Sequence, residues 1–146
     1  MDTKILAVMS FDGCHLLLPQ QSVQTIEVIG NLDRQTDTAG AIGNLKSAGR
    51  EWPAFALTAD LKPYLECPES YKFCVAFNLG VDAAFTIVCE EVSTVTVDNS
   101  NEIKPLQTCM RTSGNPIEAL LLRDNKLMMV SDIEAMQQFL LKDVAA

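Results

Sequence analysis

The sequence predicts an all-β fold, a barrel or sandwich of about ten short strands with one helix at its C-terminal end. Three observations predict it. Short runs rich in apolar and β-branched residues recur at close spacing along the 146 residues. Asp12-Gly13 and Asp124-Asn125 separate pairs of such runs, as hairpin turns do. The better of two helical patterns, "SDIEAMQQFLLKD", lies near the C-terminus and carries the apolar period of a helix.

In chain order, "KILAVMSF" reads as a strand, Asp12-Gly13 as a tight turn and "CHLLLP" as the returning strand. "SVQTIEVIG" alternates, with Val23, Ile26 and Val28 as its apolar marks, and a polar loop, "NLDRQTDTAGAIG", follows. "GREWPAFAL" places the only tryptophan, Trp52, beside Pro53 in a run that otherwise reads as a strand. Proline donates no ladder hydrogen bond and is unwelcome in a central strand. "TADLKPYL" has room for a short helical turn. "YKFCVAFNLG" and "AAFTIVCEEV" read as strands paired around Gly80 to Asp82, and "STVTVDNSN" as β-branched alternation ending in a turn. "TCMRTSGNP" is a loop, and "IEALLLRDNKLMMVS" a hairpin turning at Asp124-Asn125. In the final helix, Ser131 and Glu134 match the capping box. Ile133, Met136, Phe139 and Leu140 fall on one face, expected to pack on the core.

Length predicts one domain, 1–146, with no linker, low-complexity segment or repeat by identity. Hydrophobic residues at 48% supply a core, and no apolar run reaches membrane-spanning length. "MDTKILAVMS" lacks the features of a secretory signal, so a cytoplasmic protein without membrane insertion is expected. A net charge of −8, with 11 scattered basic residues, argues against nucleic acid as a partner.

Catalytic chemistry is poorly provided for. Five cysteines, Cys14, Cys67, Cys74, Cys89 and Cys109, include no Cys-x-x-Cys spacing and read as free, mostly buried thiols rather than metal ligands or disulfides. The single histidine, His15, follows Cys14, and neighbours on a strand point to opposite faces. "GAIGNL" lacks the Lys-Ser/Thr and helix of a phosphate loop. Glu90-Glu91 reads as one partly buried and one solvated carboxylate, not an acid/base pair. The expectation is a non-enzyme with no cofactor and no metal.

Four segments, in order, resemble the CheW-like domain, the adaptor fold of bacterial chemosensory arrays, over roughly residues 5 to 142. "FDGCHLLLPQQSVQTIEVI" matches a strand, tight turn and strand leading to a Val-x-x-Ile pattern at Val23 and Ile26. Gly43, Gly49, Pro53 and Leu57 keep the spacing of the family's central Gly and Pro segment. "FTIVCEEVSTV" places Glu90, Val92 and Val95 in an Asp-x-Val-x-x-Val pattern. "IEALLLRDNKLMMVSDIEAMQQFL" resembles the closing hairpin and last helix, with Asp132 and Ile133 in register. The sequence departs from the family at Ala48, where an Arg is usual, at Ala56, where an Asp is usual, and at Thr25, usually acidic.

The resemblance implies two small five-stranded SH3-like barrels packed together, with short helices including a C-terminal one. It implies an adaptor binding the regulatory domain of a CheA-type histidine kinase and, as a second partner, a methyl-accepting chemoreceptor. The partner-binding residues it points to are Val23, Gly43, Lys46, Ala48, Gly49 and Arg50. Arg50 stands two positions beyond Ala48, and a shift of two along a strand keeps the same face. In the implied fold Pro53 lies in a strand near a barrel edge, and Trp52 packs in the core or between barrels. Loss of the family Arg suits a diverged member serving type IV pilus twitching motility or another specialised pathway. The reading from another class is a small cysteine-dependent enzyme or ligand-binding barrel, which requires a thiol of lowered pKa.

Overall fold

The apolar runs at the start of the chain form a hairpin, β1 (Lys4–Phe11) and β2 (Cys14–Pro19). Its turn residues Asp12 and Gly13 have φ of 49° and 79°, the positive values that two-residue hairpins need to match strand twist. The computed structural model describes residues 4–34, 40–47, 50–78, 84–97, 103–105, 116–123 and 125–141. Within them the chain continues through β3 (Val23–Val28), β4 (Leu32–Asp33), β5 (Gly43–Ser47), β6 (Arg50–Ala56), β7 (Phe73–Phe77), β8 (Phe85–Cys89), β9 (Glu91–Val97), β10 (Ile103–Pro105), β11 (Ile117–Arg123), β12 (Lys126–Ser131) and a helix, α1 (Ile133–Leu141).

Two six-stranded sheets result, in the orders β10-β11-β12-β2-β1-β9 and β3-β7-β8-β6-β5-β4. The chain begins the first sheet, builds the whole second sheet from β3 to β8, and returns to complete the first. Two pairings are parallel, β12 with β2 and β6 with β8, and the others are antiparallel.

Side-chain period explains why the middles of the first two runs, Ile5 to Met9 and Leu16 to Leu18, are apolar. Leu6, Val8 and Leu17 pack with Val97, Ala119, Leu121 and Val130 on one face. Met9, Phe11, Leu16 and Leu18, on the other face, join a larger cluster with Leu45, Trp52, Phe55, Phe77, Phe85 and Ile87 of the second sheet. A strand buried on both faces has no position left for a polar side chain. Val97 and Ile103, from opposite edge strands of the first sheet, pack on the same cluster, so that sheet curls on itself. Arg123 Nη1 donates across the gap to the Thr96 carbonyl at 2.9 Å.

The all-β pair of small barrels is as the sequence predicts. Each sheet has six strands rather than five, because β4 and β10, of two and three residues, are too short to carry a period. Pro53 corrects the expected edge placement: β6 is an interior strand, between β5 and β8. The ladder with β8 starts one residue later, at Ala54, so Pro53 pairs only with Asn44 of β5. A missing donor is tolerated there for that reason.

The helix packs Ile133, Met136 and Leu140 into the larger cluster, with Phe139 half-buried beside them, as its period predicts. Its cap differs from the expected box. Asp132, not Ser131, accepts from the Ala135 backbone N–H at 2.7 Å. Ser131 ends β12, and its hydroxyl donates to the Pro116 carbonyl at 2.6 Å. The residue three beyond the true cap is therefore Ala135, and Glu134 is exposed. The expected helical turn in "TADLKPYL" is instead a tight non-helical loop, with Leu61 at φ 64° and an isolated bridge from Leu57 to Pro63.

Candidate functional site

The candidate residues gather mainly on the β5–β6 hairpin. Gly43 and Lys46 lie on β5, and Arg50 opens β6 opposite Ser47. Ala48 and Gly49 lie outside the described residues. Lys46 is exposed, pairs with Glu51 across the ladder, and sits 3.6 Å from the Asp33 carboxylate and 4.0 Å from that of Glu51. Such solvated pairs contribute little stability, so the ammonium can exchange these partners for a partner protein's carboxylate. Val23 opens β3, with β7, β8 and β6 between it and β5 in the sheet. It is half-buried and packs against the larger cluster. Gly43 is buried, and a Cβ there would overlap the Asp33 carbonyl oxygen of β4. A requirement for glycine at 43 thus follows from strand packing.

Polar contacts bolt the first sheet's β1–β2 turn to loops of the second. The Asp12 carboxylate accepts from Ala59 N–H at 2.8 Å, and Asp12 N–H donates to Glu90 Oε1 at 3.2 Å. Ser70 Oγ also donates to Glu90, at 3.4 Å, and Glu90 N–H donates to the Ser10 carbonyl at 2.8 Å. Glu90 is half-buried and Glu91 exposed, as the sequence predicts. This clasp and the shared core hold the two sheets in one orientation.

A groove of about 870 Å³ opens on the first sheet, lined by Ile5, Leu6, Pro19, Ile103 and Val130, with Glu118 and Asp132 as its charged residues. Gln20, Gln21 and Ser131 complete its lining, so the groove mixes apolar and polar side chains, and none of them is among the sequence candidates. Apolar side chains also stand exposed on β3 (Ile26 and Val28) and at the β11–β12 tip (Leu122 and Leu127). The alternation of β3 was visible in the sequence. Its parity sets Val23 on one face and Ile26 with Val28 on the other.

The thiols run opposite to nucleophilic chemistry. The four described cysteines are free. Burial foremost, then the Asp12 charge, pushes Cys14 up to about 11. Burial pushes Cys74 and Cys89 to about 12, and raises Cys67 against the pull of Arg34. His15 Nδ1 meets Ser10 Oγ at 2.7 Å across the β1–β2 pair. No group of three or more metal-ligating side chains occurs among the described residues. A thiol held neutral is a poor nucleophile. In a Cys109→Ser protein, none of the remaining four thiols should react with a disulfide reagent near neutral pH faster than a free model thiol. Cys14, half-buried like Cys67, should speed up only as pH approaches 11. A fast thiol at neutral pH would restore the enzyme reading.

The two six-stranded sheets, the second built by the chain between β2 and β9 of the first, and the closing helix define a CheW-like fold. The crystal structure of the scaffolding protein TtCheW from Thermoanaerobacter tengcongensis matches it with a TM-score of 0.69 at 15% identity, covering 89% of this chain and 89% of that one. No family model matches the sequence, and no curated protein matches it. Among the described residues no helix is long and apolar enough to cross a membrane.

Proposed function

We propose that the protein is a non-enzymatic cytoplasmic adaptor that binds the regulatory domain of a CheA-type histidine kinase and, as a second partner, the tip of a methyl-accepting chemoreceptor. The observation that carries the reading is the CheW-like fold, shared over 89% of both chains with a protein described as a scaffold. The clasped barrels support it, since an adaptor works by presenting two surfaces at a fixed angle. On this reading the β5–β6 hairpin supplies the cationic contact through Lys46 and Arg50, and the groove on the first sheet takes side chains of a partner.

Ala48, where the family carries Arg, motivates the second reading, a diverged member serving type IV pilus twitching motility or another specialised pathway. Alanine offers none of the forked charged donors of a guanidinium. Titration calorimetry against the regulatory domain of each CheA-type kinase of the same organism tests the proposal. Micromolar binding is expected, weakened at least about tenfold by Lys46→Glu together with Arg50→Glu, a loss of roughly 1.4 kcal/mol. No binding to any of these kinases would refute the kinase reading.

A further inference from the structure

Glu118 breaks the pattern of its strand. Ile117 pairs with Ser131 and Ala119 with Val130, so β11 spends one residue more than β12 over this step. Glu118 is the extra residue, and the step is a β-bulge. In a regular strand Ile117 and Ala119 would share a face. Here Ile117 packs in the larger cluster and Ala119 in the smaller one. A bulge re-aims the side chain it carries. Glu118, half-buried between two buried neighbours, lines the groove on the first sheet.

The groove's second carboxylate comes from the other side of the same ladder pair. Asp132 follows Ser131 directly, and its Oδ1 accepts from the Ala135 N–H at 2.7 Å. The Ser131 hydroxyl, donating to the Pro116 carbonyl at 2.6 Å, ties the end of β12 to the start of β11. Both carboxylates therefore stand on backbone that is already fixed, which leaves a ligand little ordering to impose. Ile5, Ile103 and Val130 are among the apolar side chains that share the groove with them. No lysine or arginine is among its described lining residues. Lys104 follows Ile103 on β10, where successive side chains point to opposite faces.

We propose that the groove binds a cationic side chain carried on an apolar peptide segment, with Glu118 and Asp132 as its counter-ions. Whose segment this is rests on the adaptor reading; the chemistry of the groove does not. Two features favour a cation over an acidic occupant. All the charged lining is carboxylate, so an acidic segment would set like charges together at half-buried positions. The chain as a whole carries −8, which steers cations toward it and repels anions. A volume of about 870 Å³ suits a few side chains of such a segment. The carboxamides of Gln20 and Gln21, both exposed, offer donors and acceptors to its backbone.

A kinase-free titration tests the groove separately from the adaptor reading. The probes are two short peptides with leucine at alternate positions, one with lysine and one with glutamate between them. Each is added to isotope-labelled protein and followed by nuclear magnetic resonance. The lysine peptide should shift the backbone amides of Ile5, Val130 and Ser131, with a Kd below about 1 mM. The glutamate peptide should shift none of them. Glu118→Gln together with Asp132→Asn should weaken the lysine peptide at least about tenfold, and either alone by part of that. Asparagine caps a helix as well as aspartate does, so α1 is kept. Glu91→Gln, at an exposed carboxylate of β9 outside the groove, should change the affinity less than about twofold. Binding should weaken as salt rises from about 0.01 to 1 M and the Debye length falls from about 30 to 3 Å. Equal binding of both peptides, shifts confined to other surfaces, or an affinity that survives the double substitution overturns the proposal. So does a loss with Glu91→Gln as large as that of the double variant, which would assign binding to net charge alone. A lysine peptide bound at the groove of a protein that binds no kinase would refute the adaptor and uphold the groove.

Discussion

Trp52→Ala should cost about 3–5 kcal/mol, the range for truncating a large buried aromatic. Trp52 is 1% exposed and stands opposite Leu45, itself fully buried, in the ladder between β5 and β6. Its neighbours in the cluster come from both sheets and from the helix. The cavity would therefore open inside that shared core, with β5 and β8 paired on either side of β6 and resisting collapse into it. The melting temperature should fall by roughly 6–20 °C for a chain of this size. Trp52→Phe keeps most of the apolar volume and should lose less than half of that. As the only tryptophan, Trp52 also reports on itself. Its emission should be blue-shifted in the folded protein and move red on unfolding. Solvent-like emission from the native state, or an alanine variant that melts with the parent, would show that this side chain is a surface contact.

That burial was legible from the sequence only in part. The resemblance puts a lone Trp beside a proline in the core or between barrels, as its burial bears out, and only the pairing of β6 between β5 and β8 says which strands enclose it. Strands with long apolar runs were plain, since Asp12-Gly13 fixes the first hairpin and the runs beside it are buried on both faces. β4 and β10 were not, because two or three residues hold no period. Ser131 misled because it sits one residue before a better acceptor: strand pairing carries β12 through Ser131, leaving Asp132 to begin the helix. Of the sequence's candidates, Gly43, Lys46 and Arg50 lie on β5 and β6, Val23 lies on β3, and Ala48 and Gly49 fall outside the described residues. What the sequence concealed was which of them face outward, since glycine's role at 43 depends on β4, a strand no pattern announces.

Gly43→Ala is the sharper test of that distinction. The added Cβ would meet the Asp33 carbonyl oxygen, which belongs to the backbone and has no rotamer to escape by. Either β4 moves away or β5 shifts. The first option breaks the pairing of Leu32 with Leu45 and of Asp33 with Asn44, and draws the buried Leu32 out of the core. It also separates Asp33 from Lys46. Overpacking of this kind costs about 1–3 kcal/mol, and a backbone partner places the expectation at the upper end. Asp33→Gly should not rescue the variant, because the obstructing oxygen is present whatever side chain residue 33 carries. If Gly43→Ala also weakens kinase binding, its melting curve tells why. A lowered melting temperature assigns the loss to the displaced strand. A melting temperature within about 1 °C of the parent, which for this size corresponds to less than roughly 0.5 kcal/mol, would mean that β4 gives way freely and that Gly43 matters to the partner, not to the fold.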